Sequence, residues 1–146
     1  VISIFTPQYT EIISEETSHK MLEMLKAVIN EGTGVRLRYR YQFKGDIGGK
    51  TGTTQNNSDG WFIGVTPELV SGTWVGGEDR SIHFDNLREG QGASMALPVW
   101  ALYMQKVYAD ETLGYSDTLK FDIPEHLHKE YKECVSQAPV EDLLFN

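Results

Sequence analysis

Gly48-Gly49-Lys50-Thr51-Gly52-Thr53-Thr54 combines a lysine, bare glycines and three hydroxyls in one short run that reads as a strand. Period-two alternation places Thr51 and Thr53 on one side and Lys50 on the other. Gly52 removes the side chain that would block close approach of another backbone. At a sheet edge, the free N–H and C=O groups of such a strand pair with an extended peptide. Its hydroxyls hydrogen-bond a terminal carboxylate, Lys50 adds positive potential, and a backbone N–H near Thr53 is placed to face a developing oxyanion. On the three letters K-T-G alone, an ordinary glycine-bearing strand explains the run equally well.

Working outward, this run opens a series of three strands, Asp46–Thr54, Gly60–Thr66 and Val70–Gly76. The connections Asn56-Asn57-Ser58-Asp59-Gly60 and Pro67-Glu68 are short and turn-like, so the strands are expected as antiparallel neighbours. Large apolar residues on both faces predict helices on both sides. Upstream, Ser14 is a candidate N-cap before Glu15 and Glu16, and Met21, Leu22, Leu25, Val28 and Ile29 form one apolar face. These features predict a helix over Glu15–Glu31, ended by Gly32. Downstream, Ala93–Tyr108 is apolar on most sides and predicts a buried helix, with Pro98 placing its start near Ser94. Val1–Phe5 is a weak strand candidate, Gly76–Gly92 reads as irregular, and a short helix near Glu125–Val135 is one option for the polar end. The fold class is α+β, an antiparallel meander of three main strands with helices. The expected division is 1–110 for the folded unit and 111–146 for a polar C-terminal extension.

Bulk properties narrow the function. Lys and Arg total 13 against 21 Asp and Glu, a formal charge of −8, which argues against nucleic acid as a partner. No run of about 18 apolar residues is present to span a membrane, and the first residues lack the basic region of a signal peptide. Cys134 is the only cysteine and has no intrachain disulfide partner. His126, His128 and Cys134 supply three of the roughly four ligands a zinc site needs, so neither metal nor other cofactor is expected. His19 and His83 are isolated and read as surface or packing residues. Arg36, Arg38 and Arg40, interleaved with Tyr39, Tyr41 and Phe43, fit an extended segment or a helical turn and read best as a solvated face. Trp61, Trp74 and Trp100 read as packing residues rather than a glycan-stacking surface, and Asp59 as a turn residue.

Motif order adds more. Ser14-Glu15-Glu16-Thr17, Met21-Leu22, Glu31-Gly32-Thr33-Gly34, Gly49-Lys50-Thr51-Gly52-Thr53-Thr54, Asp59 to Pro67 (DGWFIGVTP), Thr73-Trp74-Val75-Gly76 and Ala96-Leu97-Pro98-Val99-Trp100 succeed one another along the chain. Together they resemble the C-terminal half of the transpeptidase domain of class A penicillin-binding proteins, over about Ile12 to Met104. The resemblance implies a larger five-stranded sheet and acyl transfer from D-Ala-D-Ala stem peptides of peptidoglycan through an acyl-serine, the step that β-lactams block. It implies that Lys50 binds anionic groups, that Thr51 and Thr53 hold the donor carboxylate beside Gly52 and Thr54, and that the Thr53 N–H forms half of the oxyanion hole. A bifunctional parent with an upstream glycosyltransferase domain, membrane-anchored and facing the extracytoplasmic side, follows from the same resemblance.

The family's other two elements, S-x-x-K and S-x-N, begin at none of the chain's serines. The expectation is therefore a piece lacking its nucleophile, inactive alone, completed by the missing N-terminal part of the domain and prone to self-association. A DD-carboxypeptidase, a serine β-lactamase and a non-catalytic interaction module are the alternatives.

Overall fold

The computed structural model describes Gln8 and residues 10–127. Val1–Phe5, His128, Cys134 and most of the helix proposed near Glu125–Val135 lie outside the described residues. Helix α1 spans Glu15–Asn30 and starts where its cap predicts, with the Thr17 N–H donating to Ser14 Oγ at 3.3 Å. It ends at Glu31, and Gly32 follows as expected, donating to Ala27 O at 3.1 Å. Glycine is needed there for space, because a Cβ would sit 2.9 Å from the Val28 backbone.

The arginine segment is helical. Helix α2, Arg36–Tyr39, buries Leu37. The solvated-face reading fails for two of its arginines. Arg36 Nη1 donates to Ala93 O at 3.0 Å, and Arg38 Nη1 donates to Phe43 O at 3.0 Å and Gly45 O at 2.8 Å. Their heads satisfy backbone carbonyls where chain segments meet, while Arg40 remains exposed.

Strands β1 (Gly48–Thr53), β2 (Asp59–Val65) and β3 (Val70–Gly76) form an antiparallel sheet in the order β1-β2-β3. Asn56 and Asn57 take positive φ (64° and 54°) in the β1–β2 connection, a conformation asparagine tolerates better than most residues. Gly76–Gly92, expected to be irregular, contains a short helix, α3 (Leu87–Gly90), capped by Asn86. Helix α4 runs Gly92–Ala109 and begins two residues before the expected start, so Pro98 lies in its second turn.

The register sorts side chains cleanly. Gly60, Phe62 and Gly64 face α4 and are buried. The ring of Trp100 stacks edge-on against Phe62 (centroids 5.1 Å) and its Nε1 donates to Ser71 Oγ at 2.8 Å. Gly64 makes room for it, since a Cβ there would lie 2.3 Å from the indole. Ile29, Leu37, Phe43, Ile47, Leu97 and Met104 complete the core. On the opposite face, α1 covers only one end, through Leu22 and Leu25 near Gly48. Trp61, Ile63, Val70 and Trp74 remain 45, 40, 66 and 48% exposed. Two expectations are thus corrected. Helices do not cover both faces fully, and of the three tryptophans only Trp100 is core, because adjacent strand residues point to opposite faces.

After α4, residues 119–121 lie against the domain at Asp46. Asp46 N donates to Leu119 O at 2.9 Å, Asp46 Oδ2 accepts from Phe121 N at 3.2 Å, and Lys120 Nζ reaches Asp46 Oδ1 at 3.1 Å. Burial works against the Asp46 charge, but hydrogen bonds from Lys120 and Phe121 and the Lys26 charge outweigh it and lower its pKa from 3.8. A carboxylate depressed in the folded state adds stability above its unfolded pKa and loses it as pH falls through the folded value. Amide exchange in 117–123 should therefore accelerate as pH drops below about 4 relative to its intrinsic rate. Asp46→Asn should show fast exchange already at neutral pH and no such acid step. Separately, Trp100→Ala should cost about 3–5 kcal/mol of unfolding free energy in denaturant titration.

Candidate functional site

The β1 strand is a sheet edge. Among the described residues only β2 pairs with it, through Gly48↔Val65 to Thr53↔Gly60. Its hydrogen-bonding phase follows from the turn. Thr54 N donates to Asp59 O at 3.0 Å, so Thr54 points its amide at β2. Alternation then directs the Thr53 N–H and C=O to the open flank, with those of Thr51. A strand with outward-facing amides and carbonyls beside no neighbour is a template for an extended peptide.

Side chains along this strand divide as period two requires. Lys50 is exposed and shares a face with Ile63, its cross-strand partner. Its Nζ donates to Thr51 O at 2.8 Å, and it makes no ion pair among the described residues. In a chain of net charge −8 this is an uncompensated cation at an open edge. Gly52 lies opposite Trp61, whose Cβ would be 3.2 Å from a Cβ at position 52.

Thr51 and Thr53 occupy the other face, and each hydroxyl already has one partner. Thr51 Oγ1 lies 2.9 Å from Thr33 Oγ1, which ties β1 to the Glu31-Gly32-Thr33-Gly34 turn after α1. Thr53 Oγ1 accepts from the Gly92 N–H at the first residue of α4, at 2.9 Å. Both threonines keep further hydrogen-bonding capacity, and Thr53 is exposed to solvent. Thr54 differs. Its Oγ1 accepts from Asp59 N at 2.9 Å and lies 3.0 Å from Ser58 Oγ, so it closes the β1–β2 connection.

Other residues weighed from sequence fall away from this strand's flank. Asp59 is structural, with Oδ1 accepting from Trp74 Nε1 at 3.2 Å and Oδ2 accepting from Ser58 Oγ at 3.0 Å. His19 is partly buried, and His83 is exposed in the loop before α3. Among the described residues no group of three or more His, Cys, Asp or Glu could hold a metal, and no helix is long and apolar enough to cross a membrane. The sequence reading missed Thr33, Arg36 and Gly92 as supports of the strand. For Thr33 the signal is present in the Glu31-Gly32-Thr33-Gly34 motif. Gly92 lies 39 residues from Thr53, a distance no local pattern reports.

Comparisons with known proteins agree with the fold. The family model for the penicillin-binding protein transpeptidase domain matches residues 6–76. Penicillin-binding protein 1A of Pseudomonas aeruginosa is 36% identical over 110 residues, covering 75% of this chain and 13% of that protein. Penicillin-binding protein 1A of Aquifex aeolicus is 34% identical over 101 residues, covering 69% of this chain and 13% of that protein. The crystal structure of penicillin-binding protein 1A from Haemophilus influenzae superposes with a TM-score of 0.59 at 32% identity, over 68% of this chain and 16% of that one. The chain thus spans about an eighth of the length of the curated relatives it matches. An α+β sheet of the same architecture, a matching domain model and relatives that align over most of the chain lead to one conclusion: the chain belongs to the penicillin-binding protein transpeptidase family.

Proposed function

We propose that β1 is the docking strand of a serine-type DD-transpeptidase domain, and that it receives the D-Ala-D-Ala end of a peptidoglycan stem peptide. The observation that carries this reading is the open flank of β1, where the exposed cation Lys50 and the exposed hydroxyl of Thr53 share one unpaired edge. A stem peptide lying along that edge exchanges backbone hydrogen bonds with Thr51 and Thr53. Its terminal carboxylate accepts from the threonine hydroxyls within the field of Lys50. The attacking serine belongs to the rest of the domain. Its oxygen adds to the penultimate D-Ala carbonyl, and the resulting oxyanion accepts from the Thr53 N–H, one half of the oxyanion hole. Collapse breaks the C–N bond, terminal D-Ala leaves as the amine, and an acceptor amine later displaces the serine to form the cross-link. Gly52, without a side chain, leaves the strand open to close approach, and Thr54 holds the turn that sets the strand's end.

On this reading residues 1–110 are the C-terminal part of the transpeptidase domain and 111–146 an extension. The parent is a peptidoglycan synthase with an upstream glycosyltransferase domain, anchored in the inner membrane with this domain on the periplasmic side. A DD-carboxypeptidase or β-lactamase would use the same strand for hydrolysis. Product analysis of the full-length parent separates them, because cross-linked dimers mark transfer and free D-Ala alone marks hydrolysis.

In the parent, the double substitution Lys50→Ala with Thr53→Val should lower the rate of acylation by fluorescent penicillin about 10²-fold or more. Wild-type labelling of that variant would refute the site assignment. The chain alone should take no covalent label. The half-exposed Trp61, Ile63 and Trp74 should drive the isolated chain to self-associate. Sedimentation should show mass rising with concentration, and Trp61→Lys with Trp74→Lys should return it towards monomer.

A further inference from the structure

Beyond the docking strand itself, we propose that Gly92 is a positioning residue: the first N–H of α4 fixes the Thr53 hydroxyl so that its proton is free for the donor's carboxylate. The inference rests on the reading of β1 given above. A threonine hydroxyl can donate one hydrogen and accept through two lone pairs. Gly92 N–H, at 2.9 Å, occupies an acceptor position on Thr53 Oγ1. An amide is only a donor, so this bond cannot consume the hydroxyl proton, and the proton is left to an acceptor arriving at the open side. A carboxylate is such an acceptor.

Two features make the arrangement specific. Gln91, the N-cap of α4, makes no side-chain capping bond, so the Thr53 hydroxyl, 39 residues upstream, takes the place of a local cap for the Gly92 amide. The helix also begins unusually close to the sheet. A Cβ at position 92 would lie 2.3 Å from Gly52 O and 2.6 Å from Trp61 O, both backbone atoms that cannot swing aside. Only glycine lets α4 start where its amide reaches Thr53. The 18-residue helix also brings the positive end of its dipole to that hydroxyl, which favours an anion on its far side.

The contribution should therefore be selective for donors that carry a carboxylate. In the full-length parent, acylation rate constants are measured with benzylpenicillin and with its methyl ester. Gly92→Ala should lower the acid-to-ester ratio about tenfold, the scale of one charge-assisted hydrogen bond. Thr53→Ser should keep the wild-type ratio. Thr53→Val should collapse it, and adding Gly92→Ala to Thr53→Val should change the ratio no further. Equal loss for acid and ester in Gly92→Ala would show general disruption and overturn the inference alone. A wild-type ratio in Thr53→Val would instead overturn the reading of β1. A second measurement does not depend on Gly92→Ala folding. Hydrogen exchange of the full-length protein should be faster at Gly92 in Thr53→Val than in the wild type, and unchanged exchange there would also overturn the inference.

Discussion

The structure depends on how closely α4 lies against the backbone of the sheet. At Gly60 and Gly64 the strand has no side chain on its inner face, and Met95 and Trp100 of α4 fill that space. At Gly92 it is the helix that has no side chain, and the peptide oxygens of Gly52 and Trp61 fill the space instead. The helix thus rests on main chain along its first half. Dense contact of this kind tolerates little change in volume, and it transmits the position of α4 directly to β1 and β2.

The edge strand inherits its geometry from this contact and from two others. Thr33 holds the face of Thr51, the β1–β2 connection is locked by Thr54, Ser58 and Asp59, and Gly92 meets Thr53. Three separate parts of the chain therefore support one strand on its inner side, while its outer flank carries none of these bonds. That asymmetry holds the backbone of β1 in one geometry from the inner side and leaves its outer flank open among the described residues. Arg36 joins the same scheme by binding the Ala93 carbonyl in the first turn of α4, close to the point where the helix touches the sheet.

Much of this was legible in the sequence, for physical reasons. The cap at Ser14, the apolar face of α1, the three alternating strands and the short connections are local signals, and each element formed where its pattern lies. The K-T-G strand stood out because the motifs on either side of it, from Ser14 to Trp100, follow in the family's order; the three letters alone would not have separated it from an ordinary strand. What stayed hidden was long-range. Nothing near Arg36 says that its guanidinium will serve a helix start 57 residues away. The two outward tryptophans were misread because apolarity alone does not tell which face of a strand a neighbour will leave bare. Phe62 and Trp61 are adjacent and both large and apolar, yet it is the Phe62 ring that packs on α4 at Trp100 while Trp61 meets the helix through its carbonyl oxygen near Gly92. The short α3 escaped because a four-residue helix has too few turns to show a period.

The bond between Gly92 and Thr53 has a temporal consequence. A ribosome makes the strand first and the amide that completes it some forty residues later. While the nascent chain ends before α4, the strand's inner face has only the end of α1 and its turn to rest on, and the Thr53 hydroxyl has no Gly92 amide to hold it. The final geometry of β1 is thus a late event of synthesis, finished from the carboxyl-terminal side after the strand itself has long been laid down.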